Sequence, residues 1–328
     1  MKKNRYPAAL QSCGLGMTMF SDADKEHLHS AVLEVMSTVG IRFECKEALD
    51  YLKDAGANVD FDTEVARFPE YLVNEAITSA PHNLIMYGKT PEYDAFLGES
   101  RVNWIPFGCG IYMSDIETGE IHDSCKQDII DCTRVIEALD QYDVCMETVV
   151  PQDVPAVVAP LHSFEAHVSY TNKNVTVGPA DKRTAETLVE MAAAIAGGLD
   201  KLRERPFLNF GGCSISPLTI PDSTCQAVMV GARNNIPVGC LSMAMAGGTA
   251  PVTLEGSIVV LLAEVLAAVV LSQTVKKGAP IMIGTSTCTM DLRHNAAAMV
   301  GSPELALISS AVAQMGQFYK IPSLVAGT

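Results

Sequence analysis

The sequence predicts an α/β fold, an incomplete (β/α)8 TIM-type barrel of about seven strands behind a mainly helical N-terminal layer. Three observations carry this. From about residue 100 short apolar segments alternate with helical-period segments, recurring roughly every 30 and later every 40 residues. The short segments are apolar on consecutive positions, as parallel strands buried on both faces are. The rival doubly wound sheet would carry G-x-G-x-x-G directly after its first strand. The nearest stretch, Phe107-Gly-Cys-Gly110, lacks the third glycine.

In chain order, Ser21 with Asp22 and Asp24 starts a helix, because a side-chain oxygen caps free amides and carboxylates suit the helix dipole. His27, Leu28, Ala31, Val32, Val35 and Met36 continue it, and Gly40 stops it. A second helix runs from Lys46 to Asp54. A third opens near Pro69 and ends before Pro81, and Leu84–Tyr87 is a short strand. Residues 1–97 form the expected accessory region and residues 98–328 the barrel, without its last strand and helices.

The expected barrel segments begin with a strand at Val102–Phe107 and a helix at Ser124–Leu139. Strand Val144–Val150 precedes a helix at Leu161–Tyr170, and strand Asn174–Gly178 a helix at Thr184–Ala196. Strand Phe207–Phe210 precedes Ser223–Arg233, Pro237–Ser242 precedes Thr253–Val275, and Pro280–Thr285 precedes Pro303–Phe318. A last strand begins at Pro322.

Composition excludes several functions. The 328 residues are 48% hydrophobic with net charge −15, which suits a large core and disfavours nucleic acid and anionic membranes. The ten cysteines include no C-x-x-C pair, so neither a disulfide scaffold nor a structural zinc site is expected, and no metal site is assigned. His27 and His29 cannot share a helix face, and His162 and His167 lie five apart. No apolar run follows the basic N-terminus. Ile258–Leu271 is shorter than a bilayer span and contains Glu264, so a buried helix and a cytoplasmic protein are expected.

In a parallel barrel the chemistry gathers at the strand C-terminal ends. Those ends place Trp104, Phe107, Glu147, Asn209, Ser242, Met243, Thr285, Ser286, Gly327 and Thr328 as candidate substrate-binding residues. Among them Glu147 stands out, because a carboxylate at a buried strand end is costly without a partner or a purpose. Trp104 and Phe107 are expected either to pack in the core or to offer aromatic faces to a cation. No nucleophile–base pair is evident. Glu264, within an apolar helix, is expected to have a hydrogen-bond partner in the core.

Several longer motifs carry a resemblance. Gly231-Ala-Arg233 with Ile236-Pro-Val238, Ser242-Met-Ala-Met-Ala-Gly-Gly248, Ala263-Glu-Val-Leu266, Gly301-Ser-Pro-Glu-Leu305 and Gln317-Phe-Tyr319 through Gly327 resemble the trimethylamine methyltransferase family. The resemblance runs from about Phe20 to the end of the chain and implies a (β/α)8 barrel in longer proteins. It implies methyl transfer from trimethylamine to the Co(I) corrinoid of a separate, cognate corrinoid protein docked over the barrel mouth. No cofactor would be bound by this chain itself, and a homo-oligomer is expected. Trimethylamine-specific members carry pyrrolysine, encoded by an in-frame amber codon, at the mouth of the strand that here ends in Gly327 and Thr328. The resemblance therefore implies that the reactive residue lies at or just after Thr328, that none of the catalytic residues lies before it, and that a chain ending there is inactive. Relatives without pyrrolysine act on glycine betaine, which is the alternative substrate; an amine-binding module is the non-enzymatic alternative.

Overall fold

The computed structural model describes residues 18–98 and 101–327. Six short strands form its central sheet: β1 (Val144–Met146), β2 (Asn174–Val177), β3 (Leu208–Cys213), β4 (Val238–Ser242), β5 (Ile281–Thr285) and β6 (Ser323–Val325). They lie side by side in sequence order, and every neighbouring pair is parallel. Parallel neighbours need long crossovers, and helices supply them. Ahead of β1 lie α1 (Asp22–Thr38), α2 (Lys46–Asp54), α3 (Glu70–Ser79) and α4 (Lys126–Ala138). The crossovers are α5 (Ala159–Tyr170), α6 (Lys182–Ala196) with α7 (Leu199–Glu204), α8 (Asp222–Asn234), α9 (Leu254–Val275) and α10 (Pro303–Tyr319).

The sheet curls into part of a barrel. Val144 of β1 and Met282 of β5 share one apolar cluster with Leu84, Met86 and Ala95. The last three belong to an antiparallel hairpin of Leu84–Met86 and Ala95–Leu97, which plugs the end where the strands begin. Among the described residues β1 and β6 are the two edge strands, and the sheet does not close.

This corrects the expected seventh strand. Residues 102–107 form no strand, although they run beside β1. The Trp104 carbonyl accepts from Asp143 N at 2.8 Å, and Gly110 exchanges bonds with Thr148 O and Val150 N, both at 2.9 Å. Between these ends the ladder is missing. Pro106 has no N–H to give it.

The N-terminal layer is mainly helical, as expected. Besides α1–α3 it contains a small mixed sheet. Ile41–Phe43 pairs antiparallel with Val65–Arg67 and parallel with Thr219–Ile220, and Asn58–Asp60 completes it. Helix α1 begins as its sequence dictates: Ser21 and Asp24 form a reciprocal capping box. All three helices pack on α9, the apolar axis of the molecule. Helix α9 is long and apolar enough to cross a membrane, but 78% of its most apolar window is buried inside the protein, where a core helix belongs. Each fully buried Leu or Val there contributes about 1.5–3 kcal/mol of burial free energy.

Candidate active site

Strand side chains alternate between the helix layer and the lumen, and contacts fix which is which. Gly212 of β3 faces Thr224 of α8, so Gly211 and Cys213 face the lumen. Gly239 faces Met282, and Gly284 faces Leu241 and Leu324, so these positions of β4, β5 and β6 line the interior. The same alternation turns Met146 and Thr148 of the β1 segment inward, and brings Met243 and Ser286 to the lumen just beyond β4 and β5.

The lumen is layered. At its floor lie Val144 and Met282. Level with Val144 and with Met146 after it, Asn209 Nδ2 donates to Asn174 Oδ1 at 2.7 Å and to Thr176 Oγ1 at 2.8 Å, a buried polar group that ties β3 to β2. Met146, Gly211, Leu241, Gly284 and Leu324 form the next level. Thr148, Cys213, Met243 and Ser286 stand at the mouth. Met243 and Cys213 are exposed there.

The expected site residues separate on this frame. Met243 and Ser286 reach the mouth, and the Ser286 amide donates to Ser242 O at 3.0 Å. Gly327 follows β6 at the same end, exposed, after Ala326 N bonds Thr285 O at 3.0 Å. Thr328 lies outside the described residues. Asn209 is corrected: β3 runs on through Gly211 and Gly212 to Cys213, so Asn209 sits near the start of the strand. Trp104 is corrected likewise, because its carbonyl bonds the residues that begin β1, at the opposite end from the mouth. Trp104 and Phe107 are 57% and 64% exposed and form no aromatic cage with each other.

Glu147, Ser242 and Thr285 lie at strand C-terminal ends but face outward. Ser163 of α5 donates to Glu147 Oε1, and burial pushes the Glu147 carboxyl above its usual range against that bond. The backbone of Gly108 packs on the Glu147 carbonyl so closely that a Cβ there would come within 1.8 Å of it. Ser242 Oγ donates to Glu264 Oε2 at 2.7 Å. Thr285 Oγ1 accepts from Thr287 N at 2.9 Å and donates to Ser242 O at 3.3 Å.

Sequence reasoning missed Cys213, Thr148 and Cys109. Cys109 lies beside Glu147 and Cys213, and burial with these neighbours raises its thiol to about 11. Counting alternate positions from Asn209 would have found Cys213. No sequence signal pointed to Cys109. Among the described residues no group of three or more His, Cys, Asp or Glu could hold a metal ion. A cavity of about 420 Å³ lies elsewhere, between α1, α3 and α10, lined by Glu26, His29, Glu70, Asn74, Phe318 and Tyr319. It opens where α10 ends and β6 begins, away from the strand C-terminal ends, and His29 already bonds Asn74 at 3.1 Å and Tyr319 at 3.3 Å.

Loop tips beyond the strand ends are apolar and exposed. They include Ile111, Tyr112, Ile116 and Ile121 before α4, Ile215 after β3, Val252 after β4, and Leu292 and Val300 after β5.

Sequential parallel strands, helices on the outer face and a lumen opening at the strand C-termini define a protein of the (β/α)-barrel class. The profile of the family described as trimethylamine methyltransferase (MTTB) matches residues 3–328, and the chain belongs to that family. The trimethylamine methyltransferase MttB of Desulfitobacterium hafniense (strain DSM 10664 / DCB-2) is 43% identical over 314 residues, covering 96% of this chain and 63% of the relative. MttB of Methanosarcina thermophila is 34% identical over 320 residues, covering 96% and 66%. A glycine betaine methyltransferase of Desulfitobacterium hafniense (strain Y51) is 28% identical over 303 residues, covering 92% and 62%. The chain thus spans less than two thirds of the length of these relatives. The crystal structure of the hydroxylamine MtmB complex superposes with a TM-score of 0.62 at 15% identity, covering 93% of this chain and 61% of that one. The Methanosarcina barkeri monomethylamine methyltransferase (MtmB) gives 0.61 at 14%. At such identities the likeness establishes the fold.

Proposed function

We propose that the protein takes part in methyl transfer from trimethylamine to the Co(I) corrinoid of a cognate corrinoid protein. The observation that carries this reading is the family match over residues 3–328, with several relatives named for trimethylamine, one of them 43% identical. The geometry supports it in two ways. The lumen is lined by thioether, aliphatic, hydroxyl and thiol groups, which suits a small methylated amine. The exposed apolar tips around the mouth suit the face of a docking protein, since large exposed apolar surface marks such contacts.

In this reading the partner's cobalt supplies the nucleophile that takes the methyl group. The chain holds the amine at the strand C-terminal ends, and the surrounding loops keep water out once the partner is seated. Met243 and Ser286 are the expected site residues best placed to touch substrate, with Thr148 and Cys213 beside them. Pyrrolysine is the reactive residue that the resemblance implies, and none of the described residues is assigned that role. Glycine betaine is the alternative substrate.

The test uses protein from a host that reads amber codons as pyrrolysine, mixed with reduced corrinoid partner. Absorbance at the corrinoid bands then follows methylation. Trimethylamine-dependent conversion supports the proposal. Conversion with glycine betaine alone moves the protein to the second reading. Saturable amine binding without conversion would make it a binding module.

A further inference from the structure

Two buried thiols meet where the N-terminal layer joins the barrel. Phe43 pairs with Ile220, and Glu44 N donates to Ile220 O at 3.0 Å. The next residue, Cys45, is the N-cap of α2. On the facing side, Cys225 lies in the first turns of α8, its thiol 3.8 Å from Ile220 O. The strand pairing, together with the bond from Gln226, the residue after Cys225, to the Cys45 sulfur, therefore brings both cysteines to one place.

The surroundings of Cys45 favour a negative sulfur. Cysteine is an unusual N-cap, where Ser, Thr, Asp or Asn normally sits. Its sulfur accepts from Gln226 Nε2 at 3.3 Å. That amide is buried, and its Oε1 has no partner, so its orientation is set by the sulfur and by Asp222 Oδ1, 3.0 Å from the same nitrogen. The Cys225 contact lowers the Cys45 thiol below its ordinary value, with help from the Ala48 amide, against burial and Asp222. Burial and Cys45 itself hold Cys225 well above its own. A lowered thiol next to a second cysteine is the pairing of an attacking and a resolving cysteine.

We propose that Cys45 and Cys225 form a reversible oxidation site, in which a peroxide converts the pair to a disulfide that ties α2 to α8. The Cys45 thiolate attacks one peroxide oxygen, the O–O bond breaks, and the departing hydroxide is protonated to water. The Cys225 sulfur then attacks the sulfenic sulfur of Cys45. An S–S bond forms, the S–O bond breaks, and the released hydroxide takes the Cys225 proton as a second water. Two thiols are oxidised by two electrons and one peroxide is reduced. The bond closes a long loop across the joint, which restrains the unfolded chain.

The test exposes the full chain to dilute hydrogen peroxide, then alkylates free thiols after denaturation and maps peptides by mass spectrometry. The expected product links the Cys45 and Cys225 peptides with loss of two hydrogens and is undone by dithiothreitol. Tm rises by about 5 °C on oxidation and returns on reduction. Cys45→Ser abolishes the link and leaves Cys225 reduced. In Cys225→Ser, Cys45 is trapped as a dimedone adduct of its sulfenic acid. Oxidation confined to the exposed Cys109 and Cys213, with Cys45 and Cys225 still alkylated as free thiols, would overturn the proposal.

Discussion

Behind β4 and behind β1 the protein buries a titratable side chain against the same sheet, and it treats the two in opposite ways. Glu264, on α9 behind β4, is fully buried and accepts four hydrogen bonds: from Ser214 Oγ at 2.5 Å, Ser242 Oγ at 2.7 Å, Leu218 N at 2.8 Å and Ser216 Oγ at 2.9 Å. His167, on α5 behind β1, is equally buried. Its Nδ1 meets Thr133 Oγ1 at 2.8 Å and Cys145 Sγ at 3.4 Å, and its Nε2 has no partner. A carboxylate only accepts, so converging donors satisfy it. The imidazole is instead kept neutral by burial, which lowers it to about 4. The difference shows that β4 and β1 are fixed by different means. One is pinned by a polar knot that also shapes the loop beyond β3. The other is packed against a group that must stay uncharged.

Breaking the knot has the largest expected effect. Glu264→Leu leaves three hydroxyls and the Leu218 amide facing an apolar side chain, and each buried donor left unpaired costs about 1–3 kcal/mol. Rotating hydroxyls recover part of this. A loss of about 3 kcal/mol or more in unfolding free energy is expected from urea titration. Ser242→Ala, which removes one donor and leaves the rest, costs about 1 kcal/mol. Equal losses in the two variants would show that the four bonds do not act together.

The His167 side sharpens the contrast through pH. Its folded value lies below that of the unfolded chain, so the unfolded state binds the extra proton first. Stability is therefore fully present above about pH 6.5 and falls as pH drops toward 4. The shift corresponds to about 3 kcal/mol, an upper bound because nearby carboxylates titrate in the same window. His167→Leu should flatten this part of the profile, since Thr133 keeps its bond to Ile129 O. Profiles of equal slope for the two proteins would remove His167 from the account.

These two groups were not equally legible. The apolar run around Glu264 announced a buried helix, and a carboxylate there implied a partner. Three of its four donors lie 46–50 residues away, on a loop whose path only the fold sets. The strand and helix alternation was readable because apolar segments and Pro or Gly breaks recur in order. Strand parity was not. Strands buried on both faces show no alternation, so Glu147, Ser242 and Thr285 looked like lumen residues and face the helices instead. The end of β3 was misplaced because Gly211 and Gly212 do not look like strand residues. Val102–Phe107 looked like a strand by composition, yet Pro106 interrupts the ladder and Trp104 stays exposed.

The smallest effect probes the outward-facing carboxylate of the β1 segment. Ser163 donates to Glu147, and burial raises the carboxyl against it. A carboxyl raised in the folded state binds its proton there more tightly than in the unfolded chain. Its contribution is therefore best at low pH and declines as pH rises above the unfolded value. Ser163→Ala removes the bond that favours the charged form, so the decline should steepen and extend to higher pH. At neutral pH the variant loses about 1 kcal/mol by urea titration, and at pH 4 it loses less. An equal loss at both would mean that Ser163 contributes through packing alone, and that the edge beside Gly108 is held by shape without help from the Glu147 charge.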